Sequence, residues 1–199
     1  MIATEQSTTP LETASPVPPH LRRIVLTGFM GAGKSTVGRL LARRLTWNFL
    51  DLDAHLESRA KATIPELFAK HGEARFRQLE SSALASALGL RATVIALGGG
   101  TPEILTNRLL IEQTPGTTAI FLDAPFETLF DRCVLQEPGG PELARPVLAD
   151  PVLARARFAI RHPFYRRLAC LTIQTDALTP EDTVTSLLES LDKITPRRR

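Results

Sequence analysis

Gly28-Phe-Met-Gly-Ala-Gly-Lys-Ser35, followed by Thr36, has the spacing G-x-x-x-x-G-K-S of a phosphate-binding loop and constrains the fold more than any other stretch of the chain. Before it, Ile24-Val25-Leu26-Thr27 is a short β-branched run, long enough for one buried strand. After it, Thr36–Leu45 carries apolar residues at helical spacing. Strand, loop and helix in that order are the context this motif requires. The glycines let backbone N–H groups turn inward around a phosphate, and the helix N-terminus adds its partial positive charge. Residues Gly31, Ala32, Gly33, Lys34, Ser35 and Thr36 form the expected cradle, with Lys34 reaching the β- and γ-phosphates and Ser35 holding Mg²⁺. A glycine-rich turn ahead of an ordinary helix is the plainer alternative, and it leaves the lysine, the serine and both flanks unexplained. The stretch predicts nucleoside triphosphate binding. It leaves the acceptor of the phosphate open.

At 199 residues, 43% of them apolar and 23% charged, the chain fits one compact domain able to bury a core. The formal charge is only +3, and Arg197-Arg198-Arg199 supplies three positives by itself, so the balance does not argue for nucleic acid. It is compatible with a site that collects anions. Cys133 and Cys170 lie far apart with no metal-ligand spacing, which predicts a reduced, intracellular (cytoplasmic) setting. No apolar run is long enough for a membrane span. Residues 1–20, rich in Ser, Thr and Pro, are expected to be a disordered tail, and 195–199 a basic one. The folded domain is expected over 21–194, as a monomer.

Apolar runs alternate with helical patterns, the signature of a parallel sheet with crossover helices. The expected strands are Ile24–Thr27, Asn48–Leu50, Thr93–Ala96, Thr118–Leu122 and Leu171–Gln174. Helices are expected to begin near Lys34, Ile64, Phe76, Pro102, Pro125 and Val152, with a last one over Pro180–Leu191 behind Thr179 as N-cap. Residues 54–80 insert two short helices between the second and third strands. The Pro- and Gly-rich stretch 136–151 reads as a long loop in the position of a lid. A kinase needs such a lid to keep water from the γ-phosphate.

Four further groups carry chemistry. Asp51-Leu52-Asp53 is expected to close the second strand with both carboxylates on one side of the sheet, at its functional edge. One carboxylate can hold Mg²⁺ and the other can accept a proton from an attacking hydroxyl or orient it; a capping pair at a strand-to-helix turn is the alternative. Gly98-Gly99-Gly100 follows the third strand directly, permitting close approach of a ligand and leaving N–H groups free to donate. Arg77 and Glu80 share a helix face and can pair; by spacing alone this is a surface ion pair, and Arg161 by itself belongs to a solvated basic segment. Arg145-Pro146 in the lid is more suggestive, because an arginine on a closing lid can stabilise transition-state charge.

In order along the chain, the phosphate loop, Asp51-x-Asp53, Gly72-Glu-x-x-Phe-Arg77, Gly98-Gly99-Gly100, Arg145-Pro146 and Arg161-x-Pro-x-Tyr165 resemble the shikimate kinase family. The resemblance runs from Ile24 to about Leu191. It implies an α/β fold of three αβα layers, a nucleoside-monophosphate-kinase-like P-loop domain with a five-stranded parallel sheet. A substrate-binding insert (54–80) and a mobile lid (134–150) are implied with it. The implied activity is phosphorylation of the 3-hydroxyl of shikimate by ATP with Mg²⁺, a step of chorismate and aromatic amino-acid synthesis. Carried over by position, Lys34 contacts phosphate, Ser35 and Asp51 handle Mg²⁺, and Asp53 binds the substrate hydroxyls and acts as base or orienter. Arg77, Arg161 and the turn Gly98, Gly99, Gly100 bind shikimate between Phe68 and Phe76, and Arg145 is the lid arginine. Arg132 is expected against adenine; Leu178 stands where some relatives carry arginine, implying backbone and apolar adenine contact. Two converging arginines suit a carboxylate bearing three hydroxyls.

Two other functions share these features. A kinase for another polyol acid such as gluconate also needs arginines for a carboxylate, although the triple glycine and the Phe-Arg insert favour shikimate. An ATP-binding regulatory module without chemistry is the other, and it leaves the complete set Lys34, Ser35, Asp51, Asp53 and Arg145 without a purpose.

Overall fold

A computed structural model of the chain describes residues 17–136 and 150–193. Five strands, β1 (Arg23–Thr27), β2 (Asn48–Asp51), β3 (Thr93–Ala96), β4 (Thr117–Asp123) and β5 (Leu171–Gln174), form one wholly parallel sheet in the order β2-β3-β1-β4-β5. β1 and β3 are buried along their whole length, as continuous apolar runs covered on both faces require. Side chains alternate between two cores. Ile24, Leu26, Val94, Ile120 and Leu122 pack with α1 (Lys34–Leu45) and α7 (Pro180–Asp192). Val25, Ile95 and Ala119 pack with α3 (Ile64–Leu88), α4 (Leu105–Gln113) and the end of α6 (Pro151–Leu168). These are the three expected layers.

The chain goes outward from β1 to β2, returns to β3, and then crosses to β4 on the far side of β1. That reversal opens a crevice at the carboxyl ends of the central strands, where open α/β sheets bind ligands. The loops after β1, β2 and β3 all end there.

Local structure departs from expectation in four places. Extended geometry stops at Asp51, so Leu52 and Asp53 already belong to α2 (Leu52–Ala60) and the two carboxylates do not share a strand face. The insert holds two short helices, as expected: α2, and the first segment of α3, which ends at Gly72; a second segment of α3 starts just after Gly72, slightly ahead of the expected Phe76, and runs on into the crossover. Gly72, at φ 71° and ψ 175°, breaks α3 in a region of backbone space that only glycine occupies readily. Near Pro102 a 3-10 turn, Thr101–Glu103, precedes α4. Val17 is 6% exposed and packs in the core with Leu21, so the fold reaches back into the stretch assigned to the N-terminal tail. At the lid, Val134–Gln136 continue α5 (Phe126–Gln136), and Asp150 caps α6 by accepting from Val152 and Leu153 N–H. Residues 137–149, Arg145 among them, lie outside the described residues, as do 1–16 and 194–199.

Candidate active site

Gly33, at φ 84°, is the N-cap of α1 and has no side chain to occupy the helix's first N–H groups. No acidic residue stands in that first turn either, so its donors and partial positive charge remain available to an anion. Lys34 Nζ donates to the carbonyls of Gly28 and Phe29, both at 2.9 Å, which holds the ammonium over the loop. Ser35 Oγ donates to Asp51 Oδ2 at 2.7 Å. The other oxygen, Asp51 Oδ1, accepts from the N–H groups of Asp53 and Ala54 at 3.2 and 3.4 Å. Asp51 thus caps α2 with one oxygen, the alternative weighed from the sequence, and leaves the other beside the phosphate loop on Ser35. One hydroxyl and one carboxylate beside a phosphate loop fit Mg²⁺, which takes few protein oxygens and fills its octahedron with phosphate and water. Among the described residues no cluster of three or more His, Cys, Asp or Glu offers a richer metal site.

A cavity of about 420 Å³ is lined by Asp53, Ile64, Phe68, Glu73, Phe76, Arg77, Glu80, Gly98–Gly100, Glu103, Arg157, Ile160 and Arg161. Three functional side chains reach the glycine turn from three elements: Asp53 from α2, Arg77 from α3 and Arg161 from α6. A Cβ on Gly98 would lie 2.5 Å from Asp53 Oδ1, and one on Gly100 would lie 2.6 Å from an Arg77 nitrogen. One on Gly99 would meet Arg161 at 3.4 Å. Bare backbone at Gly98 and Gly100 makes room for Asp53 and Arg77, while Arg161 reaches Gly99 at ordinary packing distance.

Neither arginine is a surface group. Arg77 donates to Glu80 Oε2 at 3.0 Å and to Glu73 at 3.2 Å, and Glu80 is 2% exposed. Burial disfavours the Arg77 charge, but Glu80 and Glu73 more than offset it and raise the guanidinium above its ordinary value. Glu80 also accepts from Thr101 Oγ1 at 2.7 Å, tying the guanidinium to the residue after the glycines. Arg161, with its side chain 14% exposed, donates through Nε to Glu103 at 2.8 Å. Tyr165, one turn further along α6, is fully buried; its hydroxyl donates to the Gly99 carbonyl at 2.6 Å, and burial raises its pKa far above the ordinary range.

Phe68 and Phe76 stack with ring centroids 4.3 Å apart, one from each side of the Gly72 break. Phe68, 37% exposed, covers the buried Phe76, so only together do they make a wall. On the nucleotide side, Arg132 of α5 donates to Thr175 Oγ1 at 3.2 Å and to the Thr175 carbonyl at 2.6 Å, pinning the loop after β5. Leu178 is half-buried in that loop against the core. Sequence reasoning missed three contributions: the depth of Glu80, the acid Glu103 inside the cavity, and Arg157 at its edge. Only the last carried a signal, being four residues before Arg161 and so on the same helical face.

Comparison with known proteins agrees with this geometry. The family model for shikimate kinase matches residues 30–192. A shikimate kinase of Pseudomonas entomophila is 38% identical over 180 residues, 89% of this chain and 100% of that protein. The Geobacter sulfurreducens shikimate kinase is 41% identical over 174 residues, 86% of this chain and 91% of that protein. Among solved structures, the shikimate kinase of Acinetobacter baumannii, in complex with shikimate, superposes with a TM-score of 0.78 at 35% identity, covering 87% of this chain and 94% of that one. Phosphate loop, glycine turn, paired arginines and full-length similarity agree: this chain belongs to the shikimate kinase family, which phosphorylates shikimate with ATP.

Proposed function

We propose that the two halves of the crevice divide the reaction of this ATP-dependent shikimate kinase, which yields 3-phosphoshikimate for chorismate and aromatic amino-acid synthesis. The observation that carries this reading is the convergence of Asp53, Arg77 and Arg161 on one glycine turn. Gly31–Thr36 hold the triphosphate, Lys34 neutralises its β- and γ-oxygens, and Arg132 and Leu178 border adenine. Ser35 and Asp51 hold Mg²⁺, which when bound supplies positive charge to the phosphates. Arg77 and Arg161 take the shikimate carboxylate through charge-assisted hydrogen bonds, each worth roughly 1.5–3 kcal/mol. Phe68 and Phe76 flank the ring. Asp53 and the N–H groups of Gly98, Gly99 and Gly100 orient the hydroxyls, and Asp53 receives the proton of the 3-hydroxyl as its oxygen attacks. Phosphoryl transfer needs alignment and charge neutralisation more than covalent help. Arg145, outside the described residues, adds positive charge to the transferring group.

The domain is taken as one folded unit over 21–194, extended back to Val17 by the packing described above, with 195–199 as a basic tail. No described helix is long and apolar enough to cross a membrane. We place the enzyme in the cytoplasm, as a monomer acting on small molecules without nucleic acid or membrane. ADP release measured with purified protein, ATP and Mg²⁺ tests the assignment. Turnover is expected with shikimate, and turnover with gluconate alone would overturn it.

A further inference from the structure

The acceptor cavity carries an excess of acid. Asp53, Glu73, Glu80 and Glu103 set four carboxylates against the three guanidiniums of Arg77, Arg157 and Arg161, so a carboxylate ligand enters a lining with one negative charge to spare. The two interior arginines are also engaged. Arg77 is held by Glu80 and Glu73, and Arg161 by Glu103. Arg157 differs: it lines the same cavity, is exposed, and makes no ion pair among the described residues. It sits one turn before Arg161 on α6, on the same face of the helix. Ile160, 60% exposed, lies beside it at the edge of the cavity and offers no competing charge.

We infer that Arg157 is the group that first captures the acceptor's carboxylate at the cavity mouth and passes it to Arg77 and Arg161. This rests on the reading that the cavity takes shikimate. An exposed rim charge acts mainly on the rate of association, and its effect fades with salt. Arg157 is a binding residue with no part in transfer, so its loss appears in shikimate affinity and leaves turnover at saturation alone.

The test is steady-state kinetics and calorimetric shikimate binding on the whole protein, comparing Arg157→Ala, Arg157→Glu and Arg157→Lys with the unsubstituted chain. In low salt, Arg157→Ala should raise KM and Kd for shikimate about 3–5-fold, the range of an exposed ion pair. Arg157→Glu should raise both further, because it takes the lining's excess from one negative charge to three, against two in Arg157→Ala. Arg157→Lys should restore most of the loss, and kcat and the KM for ATP should stay within about twofold. Raising the salt to ~0.5 M should shrink the difference between Arg157→Ala and the parent protein towards unity. Unchanged shikimate affinity in Arg157→Ala and Arg157→Glu overturns the inference and leaves the kinase assignment standing. So does a loss that salt does not reduce and lysine does not rescue, which marks a packing role. If the parent protein neither binds nor phosphorylates shikimate, the cavity's assignment fails and takes the inference with it.

Discussion

Asp53 faces the Gly98 turn from the first turn of α2, close enough that any side chain at Gly98 would strike its carboxylate. Asparagine keeps that shape and removes the proton acceptor. Asp53→Asn should therefore lower kcat by about 10²–10⁴, the range for a general base, with the KM for ATP nearly unchanged; equal losses in both would move Asp53 out of the acceptor side. Glu80 works at one remove, through Arg77 and Thr101. Replacing it by glutamine removes the buried carboxylate and leaves the half-buried Arg77 with Glu73 alone, at a cost of about 1.5–3 kcal/mol in stability, the worth of a hydrogen bond to a charged group. Denaturant unfolding reads that loss, and kinetics should show a higher KM for shikimate at little cost to the KM for ATP. The residues of the phosphate loop were legible because their chemistry is contiguous. Glu80 was not, since an i,i+3 pair looks the same on a surface as in a core. Glu103 was not either, because the partner it meets, Arg161, lies 58 residues away.

Among the elements, α3 carries the most information about the acceptor. Its start is set by Thr63 and Glu66, which cap one another: Thr63 N–H donates to Glu66 Oε2 at 2.7 Å, and Glu66 N–H to Thr63 Oγ1 at 3.4 Å. Its later turns bury Ala83, Leu84 and Ala87 against the sheet. Between the two, Gly72 redirects the helix so that Phe68 can stack on Phe76. Nothing lies within 4 Å of a Cβ placed on Gly72, so the glycine serves its dihedral angles and not a close contact. Gly72→Ala should cost about 1–3 kcal/mol of backbone strain. It should also raise the KM for shikimate by displacing Phe68, while ATP affinity holds. An unchanged melting temperature with unchanged kinetics would show that the break is dispensable. Strand positions were readable from apolar runs, and separate helix starts near Ile64 and Phe76 anticipated a break between them, though not its place at Gly72. The divided Asp pair was not legible, as the switch from strand to helix falls between its members.

For the molecule as a whole, stability should depend on pH through His55 of α2. Burial, and next the charge of Arg59, lower its pKa from the ordinary 6.5, and its buried Nε2 has no hydrogen-bond partner among the described residues. A base with a lowered folded pKa stabilises the native state above its unfolded value, and that contribution is lost as pH falls through 6.5 towards the folded value. Unfolding free energy should therefore decline on acidification from pH 6.5, and His55→Gln should flatten that decline. Parallel slopes in the two proteins would assign the pH dependence elsewhere. Sheet order is the other property of this scale: the chain visits β2 and β3 on one side of β1 before it crosses to β4 on the other, so the ends of β1, β2 and β3 share one edge. There a Cβ at Gly98 or Gly100 would strike Asp53 or Arg77. A descendant that abandons this acceptor no longer needs those side chains, and once they shorten, the glycines are free to mutate. The turn thus constrains the order of change: side chains at 53 and 77 must shorten or move before a Cβ fits at Gly98 or Gly100, and ancestral reconstruction should find them departing before the glycines do.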